Sequence, residues 1–143
     1  MKSAQYISWL LAVLLLYAGL VKLIDVDLFR LQMSKSPLLP SSVIPLLSYA
    51  VPLVEILLAF CLLLGYAPST ALLTAFGLMA LFTVYLAALY FFYRGMELPC
   101  SCGGILGKMG YPVHIAFNLF FTLVAGAGYV QAERSKAAPN SLV

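Results

Sequence analysis

Charged side chains are scarce in this sequence. Only 9% of its 143 residues are Asp, Glu, Lys or Arg, whereas 64% are hydrophobic and the mean hydropathy is +1.03. A typical soluble domain has about 25% charged and about 45–50% apolar residues. The chain has too few charges to cover a water-exposed surface of its size, which nearly excludes a soluble enzyme. Intrinsic disorder is excluded too, because disordered segments combine low hydrophobicity with high charge.

Clusters of basic residues and of cysteines are also lacking. Eight Lys and Arg against five Asp and Glu give a net charge of +3, and they are scattered along the chain. Without a basic block, nucleic acid is not a credible partner. Three cysteines are too few for a disulfide scaffold. The length suits a single domain over residues 1–143.

Four apolar stretches dominate what is present. They predict membrane-spanning helices at about residues 6–24, 45–64, 71–93 and 113–130, because about 20 apolar residues cross a hydrocarbon core of about 30 Å. The stretches are continuously apolar and do not alternate, which excludes a membrane β-barrel. We therefore predict an all-α membrane protein, a four-transmembrane-helix bundle with both termini on the same side of the lipid bilayer and a flexible tail at 131–143.

The connections between these spans differ in chemistry. The second, Gly65–Ser69, is short and predicts a tight hairpin. The first, residues 25–44, interleaves apolar and charged residues as a short interfacial helix does. The third carries Pro99-Cys100-Ser101-Cys102-Gly103-Gly104. Because successive spans alternate in direction, the first and third connections lie on the same face.

The Cys100–Cys102 pair is the most informative motif. Thiols at this spacing can close a small, strained disulfide, and strain makes a disulfide labile. The following glycines leave the sulfurs uncovered. Unreactive thiols, a static bridge, or a metal site with His114 as a third soft ligand are the alternatives; the metal site lacks an obvious fourth ligand. Cys61, near the opposite face, is interpreted as a packing residue.

Polar residues of the first two spans lie toward the cysteine face. Glu55 is an acid inside a span, and such residues are by default functional. Pro52, one turn earlier, removes a helix hydrogen bond and predicts a kink. Lys22 ends the first span on the same side.

The last two spans add polar groups on the same side, Thr83 at a depth similar to that of Glu55 and His114 near the membrane surface. Thr83 and Tyr85 lie on the third span, whose aromatic residues, Phe82 included, are interpreted as ordinary filling. His114 and Asn118 share one face of the fourth span. An imidazole at that level can stabilise a thiolate or take its proton. The cluster predicts a site, and a network that only fixes helix packing is the alternative.

Four motifs in this order resemble a known family: Tyr17-Ala-Gly-Leu-Val-Lys22-Leu-Ile-Asp25, Pro52-Leu-Val-Glu55, Phe82-Thr83-Val-Tyr85, and the cysteine motif followed by His114 and Asn118. The chain is similar to the MauE branch of the DoxX-like four-span membrane proteins over about Tyr6 to Val130. The Cys-Ser-Cys-Gly-Gly form resembles versions from the Bacteroidota, whereas better-studied MauE proteins more often have Cys-x-Cys-Phe-Gly.

The resemblance implies an inner-membrane protein whose cysteine loop faces the periplasm. It also implies a link to methylamine utilisation, where MauE proteins help mature the disulfide-rich subunit of methylamine dehydrogenase beside a thioredoxin-like partner. Charge does not set the orientation: without Lys22, four basic residues lie on the loop side and three on the other.

Three functions fit the sequence. The first is a thiol–disulfide redox protein in which Cys100 and Cys102, assisted by His114, exchange with a thioredoxin-like partner. Its pocket would hold a quinone or relay protons and would be lined by Lys22, Glu55, Thr83, Tyr85 and Asn118. The second is a non-enzymatic scaffold or accessory subunit of a larger envelope complex. The third is a permease coupled through Glu55, which the lack of an inverted repeat disfavours.

Overall fold

A computed structural model of the chain describes residues 2–93 and 110–137 and is helical throughout those ranges apart from short connections. The helices are α1 (Lys2–Ile24), α2 (Val26–Ser34), α3 (Ile44–Leu64), α4 (Pro68–Phe92) and α5 (Tyr111–Ala137). All but α2 are long and apolar enough to span a membrane. The prediction of an all-α, four-span membrane protein is confirmed.

The ends of the first and last spans meet at one end of the bundle. A groove there is lined by Ala4 and Gln5 of α1, by Gly65 in the α3–α4 turn, and by Ser135 and Lys136 of α5. We call this the terminal end. The opposite end, where α1 passes into α2 and where α4 finishes, is the loop end. Both described chain ends therefore lie on the same side of the bundle, as predicted.

The hairpin between α3 and α4 follows from its sequence. Gly65 takes a left-handed conformation with φ 65° and donates its N–H to the Cys61 carbonyl, which closes α3. Glycine adopts this conformation without the steric penalty of a Cβ. Pro68 then begins α4, where its missing N–H would be unbonded in any case.

The core is built from two helix pairs, α1 against α3 and α4 against α5. Its main cluster combines large residues such as Leu11, Leu62 and Leu72 with alanines such as Ala59 and Ala75. Small residues let membrane helices approach closely, and close approach matters because lipid supplies no hydrophobic drive between helices. This cluster fills the terminal half of the bundle.

A second cluster covers the loop end. Phe29 and Met33 of α2 are buried against Ile44 of α3. Asp25 caps α2, its side chain accepting the Leu28 N–H at 3.4 Å. The apolar positions of the first connection thus form a short helix that packs on α3.

Helix α5 continues through residues 131–137, which the sequence-based prediction assigned to the tail. The apolar stretch ends near Val130, but Gln131, Glu133 and Lys136 favour helix without being apolar. Lys136 also donates to Glu133 at 3.1 Å, a pairing of neighbouring turns. Apolar length marks where a span leaves the membrane, and a helix can extend beyond it.

Candidate functional site

Two opposite charges are buried together toward the loop end. Lys22 Nζ of α1 lies 2.5 Å from Glu55 Oε1 of α3, and the side chains are 3% and 1% exposed. Taking either charge out of water alone is strongly unfavourable, so buried charges are found in pairs. The structure therefore brings together two residues that the sequence placed only on the same side of the bundle.

Gly19 explains how α1 and α3 come close enough for this pair. A Cβ built on Gly19 would lie 2.7 Å from Ile56 Cγ1 and 2.9 Å from the Pro52 carbonyl oxygen. Residues three apart lie on one helix face. Gly19 and Lys22 thus face Pro52 and Glu55, and the Gly-x-x-Lys motif packs directly on the Pro-x-x-Glu motif.

Aromatic rings surround the ammonium on its other sides. Lys22 Nζ lies 5.7 Å from the centre of the Phe29 ring and 5.2 Å from that of Phe82. At these distances the electron-rich ring faces attract a cation. The sequence-based interpretation treated Phe82 as filling and did not single out Phe29. For Phe82 the available signal was its place in the Phe82-Thr83-Val84-Tyr85 motif.

A cavity of about 230 Å³ opens beside the ammonium. We call it the Lys22 cavity. Tyr85 belongs to its wall and donates its hydroxyl hydrogen to Ser36 Oγ at 2.8 Å. Leu81 lines the cavity and is itself 64% exposed, so the cavity lies beside the outer surface of the bundle. The remaining walls are apolar and are formed by Phe29, Met33, Leu39, Leu47, Val51, Phe82 and Leu86.

His114 and Asn118 are buried on one face of α5, at 1% and 5% exposure. Within residues 2–93 and 110–137, neither His114 Nδ1, Asn118 Nδ2 nor Glu55 Oε2 has a hydrogen-bond partner. Buried polar atoms without a partner are rare in native proteins and often mark a bound water, an ion or a functional group.

Thr83 does not line the Lys22 cavity. Its hydroxyl donates to the Met79 carbonyl at 2.8 Å and lies 3.3 Å from Thr122 Oγ1. Thr122 in turn donates to the Asn118 carbonyl at 2.7 Å. Thr83 and Tyr85 are two residues apart and therefore lie on different faces of α4. Thr83 serves the α4–α5 contact through Thr122, a residue that the sequence did not single out.

Cys100 and Cys102 lie outside the described residues. The chain that carries them leaves the end of α4 and returns at Gly110, whose carbonyl accepts the His114 N–H at 3.0 Å. Cys61 is a free, half-buried thiol that packs against the core of the terminal half. It therefore lies away from the buried charges.

In the described residues, 2–93 and 110–137, the arrangement is a four-span bundle with a buried ion pair, a neighbouring apolar cavity and a buried histidine in the first turns of α5. No curated protein and no solved structure matches the chain. The family model described as methylamine utilisation protein MauE matches residues 1–131. That match covers nearly all the described residues, α1 to α4 and most of α5. The chain is an integral, multi-pass membrane protein and belongs to the MauE family of methylamine utilisation proteins.

Proposed function

We propose that the chain is an inner-membrane thiol–disulfide redox protein that serves the maturation of disulfide-containing proteins in methylamine utilisation. Cys100 and Cys102 face the periplasm and exchange with a thioredoxin-like partner. The observation that carries the proposal is His114: it is buried in the first turns of α5, four residues after Gly110, on the stretch of chain that follows both cysteines in the sequence.

The exchange moves two electrons between two thiol pairs. A thiolate of one protein attacks the disulfide of the other, and a mixed disulfide forms as the first leaving thiolate departs. The second thiol of the attacking protein then loses its proton and attacks that protein's own sulfur in the mixed disulfide. This releases the partner's remaining sulfur as a thiolate, and the two thiolates released from the partner take up protons. One protein ends oxidised and the other reduced, with two electrons and two protons transferred.

The buried polar groups support the proton part of this exchange. His114 Nδ1 has no partner among the described residues, so the ring has a nitrogen available for a thiol proton. The Lys22–Glu55 pair places a fixed dipole in the same half of the bundle. A membrane quinone is the electron acceptor that an integral membrane protein can reach directly.

A scaffold or accessory subunit of an envelope complex is the second candidate. The observation that favours it is the outer face of α2, where Leu28 and Leu31 are 44% and 52% exposed at the loop end. Such a face suits contact with another membrane subunit. In that case the cysteines only brace the segment that carries them.

Redox trapping separates the two candidates. A thiol-specific maleimide of high mass labels Cys100 and Cys102 only when they are reduced. We expect the labelled fraction to change when a thioredoxin-like partner or the quinone supply is removed. Cys100→Ser and Cys102→Ser should each abolish this change and the function in methylamine growth. Cys61→Ser is the matched control, because its thiol is packed in the other half of the bundle, and it should change neither.

Two results would reject thiol exchange. One is a pair whose maleimide reactivity never changes with partner or quinone. The other is a Cys100→Ser/Cys102→Ser double variant that supports normal growth and intact assembly, which is the result expected of the scaffold.

A further inference from the structure

The wall of the Lys22 cavity is almost wholly apolar. Among the described residues, its two polar members are Lys22 and Tyr85. Tyr85 donates its hydroxyl hydrogen to Ser36 Oγ at 2.8 Å, and Lys22 Nζ donates to Glu55 Oε1. Both polar ends are therefore engaged within the protein, and an occupant of the cavity meets aliphatic and aromatic carbon.

Two aromatic rings of the wall also flank the ammonium. The ring centres of Phe29 and Phe82 lie 5.7 Å and 5.2 Å from Lys22 Nζ, and both residues line the cavity. Ring faces attract a cation. The ammonium thus has a carboxylate and two rings around it, while the surface that Lys22 turns to the cavity is that of its methylene stem.

The size and chemistry of the cavity favour a dry, apolar occupant. A water molecule needs about two to four polar partners, and an apolar cavity of about 150 Å³ stays dry and binds benzene. The Lys22 cavity is larger, at about 230 Å³, and equally poor in polar groups. Left empty, it would deprive the atoms of its wall of dispersion contacts.

The side on which the cavity meets the surface determines what can enter it. Leu81 lines the cavity, is 64% exposed and lies near the middle of α4 (Pro68–Phe92). Val84, one turn further along α4, is 66% exposed. The middle of a span lies in the hydrocarbon core, roughly 15 Å from either surface of a core about 30 Å thick. The cavity therefore borders on the acyl chains of the bilayer.

We propose that the Lys22 cavity is a lipid-chain site, which takes a segment of a phospholipid acyl chain that enters beside Leu81. Its volume is below the roughly 300–1,000 Å³ that encloses a drug-sized ligand, so it holds part of one chain while the rest stays in the bilayer. The segment completes the dispersion contacts of the wall and keeps water from this side of the ion pair. The site needs only the described walls and does not depend on thiol exchange.

Methyl NMR in lipid nanodiscs tests the proposal. Met33 belongs to the cavity wall, Met79 belongs to the main core cluster, and each is 4% exposed, so the two form a matched pair. The protein is deuterated except for ¹³C-labelled methionine methyl groups. We expect a nuclear Overhauser effect between the Met33 methyl and acyl-chain methylene protons, no effect between Met33 and water, and neither effect at Met79.

Selective deuteration of the lipid identifies the occupant without changing the protein. Lipid with deuterated acyl chains should abolish the effect at Met33, because the chain protons are its source. Lipid deuterated only in the head group should leave the effect as it is.

A pair of substitutions on α3 tests the place of the site. Val51→Phe fills the cavity and should abolish the lipid effect at Met33. Val54→Phe is the matched control, because Val54 is 45% exposed on the same helix and is not among the described wall residues, and it should leave the effect in place. An unchanged Met79 methyl shift shows that each variant is folded.

Four results would overturn the proposal. They are a Met33 methyl that contacts water, a Met33 methyl that contacts no lipid chain, an effect that survives chain deuteration, and an undiminished effect in folded Val51→Phe. The first means a hydrated cavity, and the third means an occupant other than a bilayer acyl chain. If Val51→Phe does not fold, the lipid-deuteration result decides the question.

Discussion

At the scale of single residues, Lys22 and Glu55 depend on one another, because each balances the other's charge in an apolar bundle. Removing one partner leaves the other buried and uncompensated. Removing both leaves a gap that apolar side chains can fill. The two kinds of change therefore distinguish a buried ion pair from two residues that merely lie near each other.

Lys22→Met alone is expected to destabilise the protein by about 3–5 kcal/mol, because Glu55 would stay buried without its cation. Adding Glu55→Met should recover most of that loss, since a hydrophobic pair of similar volume is often neutral or better. Unfolding in detergent micelles, followed by circular dichroism, measures both. A double variant as unstable as Lys22→Met would show that the Lys22 side chain stabilises the bundle by packing and not by its charge.

At the scale of helices, the contact of α1 with α3 depends on a position without a side chain. A Cβ on Gly19 would meet the backbone of Pro52 at 2.9 Å, and backbone does not move aside as a side chain can. The helices would have to separate. Gly77 of α4 offers the comparison, since a Cβ there meets no described atom within 4 Å.

Gly19→Ala is therefore expected to destabilise the bundle by about 1–3 kcal/mol, as overpacking does. Gly77→Ala should be neutral or stabilising by up to about 1 kcal/mol, because alanine favours helix over glycine. The same unfolding measurement applies to both. Equal effects of the two substitutions would mean that close approach at Gly19 does not set the α1–α3 distance.

At the scale of the whole molecule, four spans put the two chain ends on one side of the membrane and the α2 end on the other. Lys35 at the end of α2 and Ser135 in the last turns of α5 are both exposed and lie at opposite ends of the bundle. They make suitable reporters in a variant lacking all three native cysteines.

We expect Lys35→Cys to react with a membrane-impermeant maleimide in spheroplasts, and Ser135→Cys to react only after the membrane is opened. This follows from the proposed periplasmic position of the loop end. The reverse pattern would place the loop end in the cytoplasm. Reaction of both in spheroplasts would contradict a bundle of four spans.

Much of the architecture could be predicted from the sequence because it depends on local properties. Apolar length determined the four spans, and Gly65 with Pro68 determined the hairpin. Interleaved polarity determined α2. The end of α5 was not predictable from hydropathy, because its last turns are helical through propensity and the Glu133–Lys136 pair.

Part of the site could also be predicted from the sequence. Lys22, Glu55, His114 and Asn118 are conspicuous because polar groups are so scarce, and all four are buried toward the loop end. The sequence does not predict which of these side chains are in contact, because contact depends on how each helix is rotated and on the distance between the helix axes.

Only the tertiary structure decided those contacts. Gly19 lets α1 approach α3, and this approach makes an ion pair of Lys22 and Glu55. The rotation of α4 turns Tyr85 toward Lys22 and Thr83 toward Thr122. Sequence alone determined that this chain lies in a membrane and at which positions its few polar groups fall. The physical reason is that the hydrocarbon interior of a bilayer accommodates long apolar segments and disfavours charged side chains. Packing decided that those groups form an ion pair beside an apolar cavity, because side chains from separate helices meet only once the helices are assembled.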